Sequence, residues 1–399
     1  MSKSLDELEK EISLMRELRD QYFILNSKAN EEEMRNDILK RTLLLYEDCM
    51  EMKEECEGVR NLFGGMVLNI NEDYDQRCEE ALSIAVKLVP SDYRGWNELA
   101  QCISKRGDDP DLVRQLMTMS VSIYPCALSL ALLSFSIRGT LSSLNAIEAA
   151  NARKESLSLA RQSISMDDTC GDAWLSLANS LLSAFFFDGQ KTTSHLDESI
   201  VCYEKAMSNG LLHNSDLYLN LSTALRYRCH MDKSLQYLEK AYQCERSDRV
   251  KEQLTQFTLI IRKMERAVNS IKSNKCVKED EEVKRERDNM AGVVVEVVSP
   301  QSFTPCIIVM KDNTDNSPFV LALFNCSSSL SLLVGDILSI RSPQILEYDQ
   351  IALLRVISPL NVLRNGKSLR DVSIALASVS IHIPSTSSTS ISSRNTAKC

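Results

Sequence analysis

The stretch Trp96-Asn-Glu-Leu99-Ala100-Gln-Cys-Ile103-Ser-Lys-Arg-Gly107-Asp108 decides how this chain folds. A large residue, then leucine and a small residue three and four places on, then a further apolar residue, form one stripe at helical spacing. Gly107-Asp108 completes the segment in the order of the repeat. Leu130 stands 34 residues after Trp96 and is followed by Leu133, Ser134 and Ile137 at the same offsets. The pattern returns as Trp174, Leu177, Ala178, Leu181 and as Tyr218, Leu221, Ser222, Leu225, each displaced by ten further residues. Leu82, Ala85 and Pro90 precede the first copy, and Tyr203 with Ala206, then Leu238 with Ala241, close later second helices.

A 34-residue period with a large residue, leucine and a small residue in this order is the mark of tetratricopeptide-type helical hairpins. Four and a half such hairpins exceed the roughly three that a continuous solenoid core needs. The extra residues fall at 140–152 and at Phe185-Phe186-Phe187-Asp188-Gly189-Gln190 with the polar run behind it, and are expected as loops or lengthened helices. Trp96 and Trp174 read as packing residues, because large aromatics at helical spacing are usually core.

Outward from the repeats, Leu5, Leu8, Ile12 and Met15, then Ile38, Leu39, Leu43, Tyr46 and Met50, predict two amphipathic helices that cap the open end of the solenoid over residues 1–61. The repeats take 62–270 and end in a capping helix over 253–270; a charged linker fills 271–289. After Met290 the pattern turns to β, with β-branched or aromatic runs at 293–298, 306–310, 319–324, 337–340 and 351–357. Five short strands predict a small barrel of the OB type over 290–372, able to fold alone, with Val334-Gly335-Asp336 feeding the fourth strand. Residues 373–399 form a tail whose end, from Pro384, is nearly all Ser, Thr and Asn and is expected to be disordered.

Composition narrows the function. With 44% hydrophobic and 25% charged residues this is an ordinary globular chain, and its net charge of −9 and pI near 5.2 oppose a role in coating nucleic acid. The barrel segment 291–366 carries Lys311, Arg341, Arg355 and Arg364 against six carboxylates, which favours docking to protein over single-strand binding, the third reading for this chain. Thirteen cysteines, an odd number with no CxxC pair and no apolar h-region before them, point to a reduced cytoplasmic or nuclear setting. No apolar run is long enough for a bilayer. No phosphate loop, zinc spacing or nucleophile elbow appears, and His195, His213, His230 and His382 lie far apart, so catalytic residues, metal and cofactor are all read as none.

The succession of an N-terminal helical pair, divergent hairpins, the insertion Ser180-Leu-Leu-Ser-Ala-Phe-Phe-Phe-Asp-Gly-Gln190 and a final barrel resembles the tetratricopeptide repeat protein 5 family. Supporting strings are Ala85-Val-Lys-Leu-Val-Pro90, Asn214-Ser-Asp216-Leu-Tyr-Leu-Asn220, Val334-Gly-Asp336 and Asn365-Gly-Lys367. The resemblance implies a non-enzymatic adaptor that binds the N-terminal peptide of nascent tubulin at the ribosome and promotes decay of tubulin messenger RNA with mRNA-decay adaptors. The alternative it implies is a nuclear co-activator scaffold joining histone acetyltransferase complexes to a transcription factor. By the same resemblance the peptide site takes Arg138, Asp216, Asn220 and Glu252, and the ribosome contact takes Lys272, Lys275 and Lys278, although acidic residues 279–282 follow at once. A peptide of Met-Arg-Glu type carries one cation and one anion, which Asp216 and Arg138 would complement.

Overall fold

Asp92, Asp109, Asn145 and Asn214 each accept a backbone N–H from the first turn of the helix that follows, so short polar residues between apolar stripes set where helices begin. The computed structural model describes residues 4–52, 55–273, 289–299, 303–327 and 330–369. Its helices pair as hairpins: α6 (Tyr93–Arg106) with α7 (Pro110–Ile123), α8 (Ala127–Gly139) with α9 (Ala146–Met166), α10 (Gly171–Phe187) with α11 (Thr193–Ser208), and α12 (Ser215–Tyr227) with α13 (Met231–Cys244). The chain is a helical solenoid of tetratricopeptide type followed by a β-sheet.

The shared register has a shared bond. Trp96 Nε1 donates to the Pro90 carbonyl at 2.9 Å, Trp174 Nε1 to the Asp168 carbonyl at 2.7 Å, and Tyr218 Oη to the Leu212 carbonyl at 2.6 Å. In each case the acceptor lies six residues back, so the large side chain pins the loop that enters its own hairpin. The small residue of the pattern is serine in two hairpins, with a common geometry. Ser134 and Ser156 each donate to the other's carbonyl, at 2.9 and 3.1 Å, and Ser222 and Ser234 do the same at 2.8 Å each. A hydroxyl that bonds backbone lets the two helices approach closely without stranding a buried polar group.

The half hairpin expected before Trp96 is whole. α5 (Gln76–Leu88) packs on α4 (Glu57–Leu68), where a Cβ on Gly65 would collide with Leu82, and α3 (Glu31–Met50) packs on α4 in turn. The first insertion lengthens α9, which runs for 21 residues. The second extends α10 to Phe187 and then turns at Gly189 and Gln190, both with positive φ.

Of the N-terminal pair, α3 covers α4 at the start of the solenoid, whereas the first helix reaches further round. α1 (Leu5–Asp20) lies along α6, with Glu9 bonded to Arg94 at 2.8 Å and Arg16 to Glu98 at 2.7 Å. The short α2 (Tyr22–Leu25) packs on α13, so the start of the chain meets the last hairpin of the solenoid. The last helix, α14 (Asp248–Ser273), begins before the stretch expected from its apolar spacing and extends past it.

Beyond it, β1 (Asn289–Val297), β2 (Cys306–Asp312) and β3 (Pro318–Leu323) form an antiparallel meander, and β3 pairs in parallel with β6 (Ile351–Val356). β4 (Ile337–Arg341) pairs with β1, and β5 (Gln344–Tyr348), which the five expected runs omit, pairs with β6. Only Ser342-Pro343 separates β4 from β5, and Ser342 has φ of 45°, so one bent strand joins opposite sides of the sheet and curls it back on itself. The small β7 (Val362–Arg364) and β8 (Lys367–Ser368) extend from β4.

One face of this sheet belongs to the solenoid. Ile307, Val309, Val320, Ala322, Phe324 and Leu353 share a single apolar cluster with Phe257, Ile261 and Met264 of α14. The second insertion supplies the clamp: Gln190 Nε2 donates to Asn325 Oδ1 at 2.7 Å, and Tyr227 packs edge-on against Phe186 and at a tilt against Phe324. Arg355 Nε donates to the Tyr227 carbonyl at 2.8 Å. A barrel expected to fold alone thus shares its core with the helices before it.

Candidate peptide-binding groove

The first helices of successive hairpins, α6, α8, α10 and α12, line the inner face of such a superhelix. Two residues before the large residue of each stand Arg94, Leu128, Asp172 and Asp216; eight residues after stand Ser104, Arg138, Leu182 and Arg226. An acidic pair and a basic pair therefore occupy equivalent places along the groove. Arg138 and Asp216 carry the resemblance, whereas Asp172 and Arg226 are found only by extending the same register.

Arg138 is 6% exposed, not the solvated helix-end cation that its place beside Gly139 suggests. Its Nη1 is shared among the hydroxyls of Ser134, Ser156 and Ser180 at 2.8, 2.8 and 2.6 Å. The guanidinium lies over the Phe135 ring at 4.6 Å. Its other edge, Nε and Nη2, is buried without a partner. No carboxylate faces it among the described residues, and burial pushes the guanidinium down to about 9. Nε and Nη2 are the parallel donors that grip a carboxylate with two bonds.

Beside Ser180, Asn179 joins the network to α11 and α12. Its Oδ1 accepts from Tyr203 Oη at 2.6 Å and from Asn220 Nδ2 at 3.1 Å, while its own Nδ2 is buried without a partner. Burial holds the Tyr203 phenol well above its ordinary range, so it remains a donor. The structure brings Arg138 and Asn220 into one cluster, in which Arg138 and Asn179 have donors to spare, and such a site selects an acceptor, hence an anion.

Asp216 occupies the first turn of α12 and is half-buried; the cap of that helix is Asn214, so Asp216 is not the N-cap. Asp172 holds the same place on α10, where burial and then Asp20 of α1 push its carboxyl upward. Arg226 lies over the Phe303 ring at 5.0 Å, with Nε unpartnered, and burial pulls it down. Glu252 stands apart from this cluster, exposed on α14 and accepting from Gln256 of its own helix at 3.0 Å. Lys272 is exposed in the last turn of α14, while Lys275, Lys278 and residues 279–282 lie outside the described residues.

Among the described residues, no group of three or more His, Cys, Asp or Glu could hold a metal ion, and no helix is long and apolar enough to cross a membrane.

No family model matches the sequence. Human tetratricopeptide repeat protein 5 is 27% identical over 243 residues, which cover 59% of this chain and 54% of the human protein. The mouse protein of the same name is 27% identical over 230 residues, covering 56% and 51%. The chain thus spans about half the length of the curated relatives it matches. A solved TPR protein of Thermus thermophilus superposes with a TM-score of 0.42 at 14% identity, covering 51% of this chain and 99% of its own. With the repeated register, the paired helices and these relatives together, the chain is a tetratricopeptide-repeat protein similar to tetratricopeptide repeat protein 5.

Proposed function

We propose that this chain is a non-enzymatic adaptor whose groove holds a short extended peptide by one carboxylate and one cation, with the N-terminal peptide of nascent tubulin as the leading ligand. The observation that carries the reading is the buried, unpartnered Nε and Nη2 edge of Arg138, fixed by three serines on its other side. A charge held this far from water without a counter-ion is costly, and a carboxylate is the group that relieves the cost. Asp172 and Asp216, at equivalent places on α10 and α12, offer the opposite charge to the peptide's cation. Co-translational decay of tubulin messenger RNA is the setting that fits such a peptide, and Lys272 with Lys275 and Lys278 are the residues we assign to the ribosome.

The sheet supports a protein-docking role. Its meander, the parallel β3–β6 pair and the bent β4–β5 strand are the connections of an OB-type barrel, and one face is already packed on α14. With four cations against six anions it lacks the electrostatic footprint of a single-strand binder.

The test is fluorescence anisotropy of a labelled Met-Arg-Glu-headed peptide against the full chain. Binding that is lost when the peptide glutamate becomes glutamine, and again in Arg138→Met, supports the reading. Equal binding of all these pairs sinks it and moves the co-activator scaffold forward.

A further inference from the structure

The groove already has an occupant. Glu9 meets Arg94 near the start of α6 at 2.8 Å, Arg16 meets Glu98 in its middle at 2.7 Å, and Arg19, close to Lys105, donates to the Ile70 carbonyl at 3.1 Å. Helix α1 therefore runs in the same direction as α6 for about 15 Å, the rise of ten helical residues. By register Arg94 is the counterpart of Asp172 and Asp216, and Glu98 of Asn220, so α1 lies on the face that carries the peptide site. At its far end the α2 turn that follows Asp20 packs on α13, and Asp20 is near enough to raise both the Asp172 carboxyl and the Cys244 thiol. Because α10 lies between α8 and α12, a peptide reaching from Arg138 to Asp216 passes α10 on the side that Asp20 approaches.

The fastening of α1 joins ion pairs to a narrow apolar stripe. Leu8 and Ile12 are buried in the cluster that holds Leu62 and Phe63, with Leu5, Met15 and Leu18 packed beside them, whereas Leu14 is 60% exposed. Arg16 is 38% exposed at the side chain, whereas Glu98 is 9% exposed and also accepts from Asn69 at 2.7 Å, so the receptor side is built in advance and the ligand side is loose.

We propose that the inner face of α6, with Arg94 and Glu98, is a helix-docking surface and that α1 is its resident, exchangeable ligand, so that α1 and a peptide occupy the groove in turn. The proposal rests on the peptide reading for the identity of the competitor, and on the α1 contacts alone for the docking surface.

The test uses the full chain as parent, Arg16→Glu and Arg16→Lys, with a fluorescent synthetic helix of residues 4–21 as probe and hydrogen exchange at α1 amides as second readout. Arg16→Glu sets a carboxylate against Glu98, so α1 amides should exchange faster and the probe should bind at least about tenfold tighter than to the parent, whose groove is filled. Arg16→Lys keeps the charge and should behave as the parent does. Should Arg16→Glu leave α1 exchange at the parent rate, or should the probe bind all three chains alike, α1 is a fixed part of the fold and the proposal fails. If the Met-Arg-Glu peptide binds no chain while the probe follows the expected order, the peptide reading fails and the docking surface stands.

Discussion

Replacing Arg138 by methionine separates what the groove does from what holds it together. Burial brings the guanidinium down to about 9, which corresponds to roughly 5 kcal/mol against the charged form as an upper bound. Against this stand the bonds from Nη1 to three serine hydroxyls and the stacking on Phe135, together worth about 2–4 kcal/mol. The serines do not depend on the arginine, since Ser134, Ser156 and Ser180 each donate to a backbone carbonyl, of Ser156, Ser134 and Ser176. Methionine fills a similar volume, and apolar replacements of uncompensated buried charge are neutral or stabilising. Urea unfolding should therefore give a change between zero and about 2 kcal/mol in favour of Arg138→Met. Affinity for a carboxylate peptide should fall by about 2–5 kcal/mol, the cost of losing one partner of a buried charge pair. Arg138→Lys, charged but without the two parallel donors, should lie between. A loss of more than about 2 kcal/mol of stability in Arg138→Met would refute the reasoning, because the guanidinium would then be a structural anchor with no need of a ligand.

Asp216→Lys should keep the circular dichroism and melting temperature near the parent's, apart from about 0.3–1 kcal/mol lost at the α12 N-terminus, while peptide binding measured by anisotropy disappears. Asp172→Asn should raise the melting temperature at neutral pH. A carboxyl held above its ordinary range folds best while protonated and loses stability as pH rises through the folded value, so the gain should vanish below the ordinary aspartate range, as a pH series of melts will check. Trp174→Phe, which loses the bond to the Asp168 carbonyl and the stacking of Lys205 at 4.1 Å, should lower the urea midpoint by the equivalent of about 1–2 kcal/mol without touching peptide affinity. Residues 289–369 expressed alone should bind a hydrophobic dye and self-associate, since Val309, Val320 and Phe324 lose their cover; a monodisperse, dye-silent fragment overturns this.

Much of the solenoid was legible because its signal is periodic. The register from Trp96 to Tyr218 follows from spacing alone, and the bonds to carbonyls six residues back repeat with it. The same register places Arg138 and Asp216 on first helices, though the resemblance singles them out. What escaped depends on distance in space. Ser156 joins Ser134 and Ser180 only because a lengthened α9 crosses α8 and α10, and no local pattern announces that meeting. Helix α4 carries Gly64-Gly65, whose bare backbone is explained only in space, by Tyr46 and Met50 packed on the first and Leu82 on the second. Strand β5 is mostly exposed, so Gln344 to Tyr348 lacks the alternation that marks the other strands. The position of α1 is set by Leu8 and Ile12 in the N-terminal core and by ion pairs to residues 82 and 85 positions away, beyond the reach of any reading of helical periodicity.

The contact between α2 and α13 changes what kind of spring the superhelix is. A repeat array joined only to its neighbours stretches and twists by small additive rotations, and its pitch is free. Here α2 ties the start of the chain to α13, while Glu31 of α3 meets Glu245 and Asp248 as like charges, so of the two it is the α2 contact that opposes free changes of pitch. Unfastening that contact restores the elasticity of every hairpin at once. The inner diameter then adjusts to whatever enters, and a clasp at the rim sets the fit at the centre.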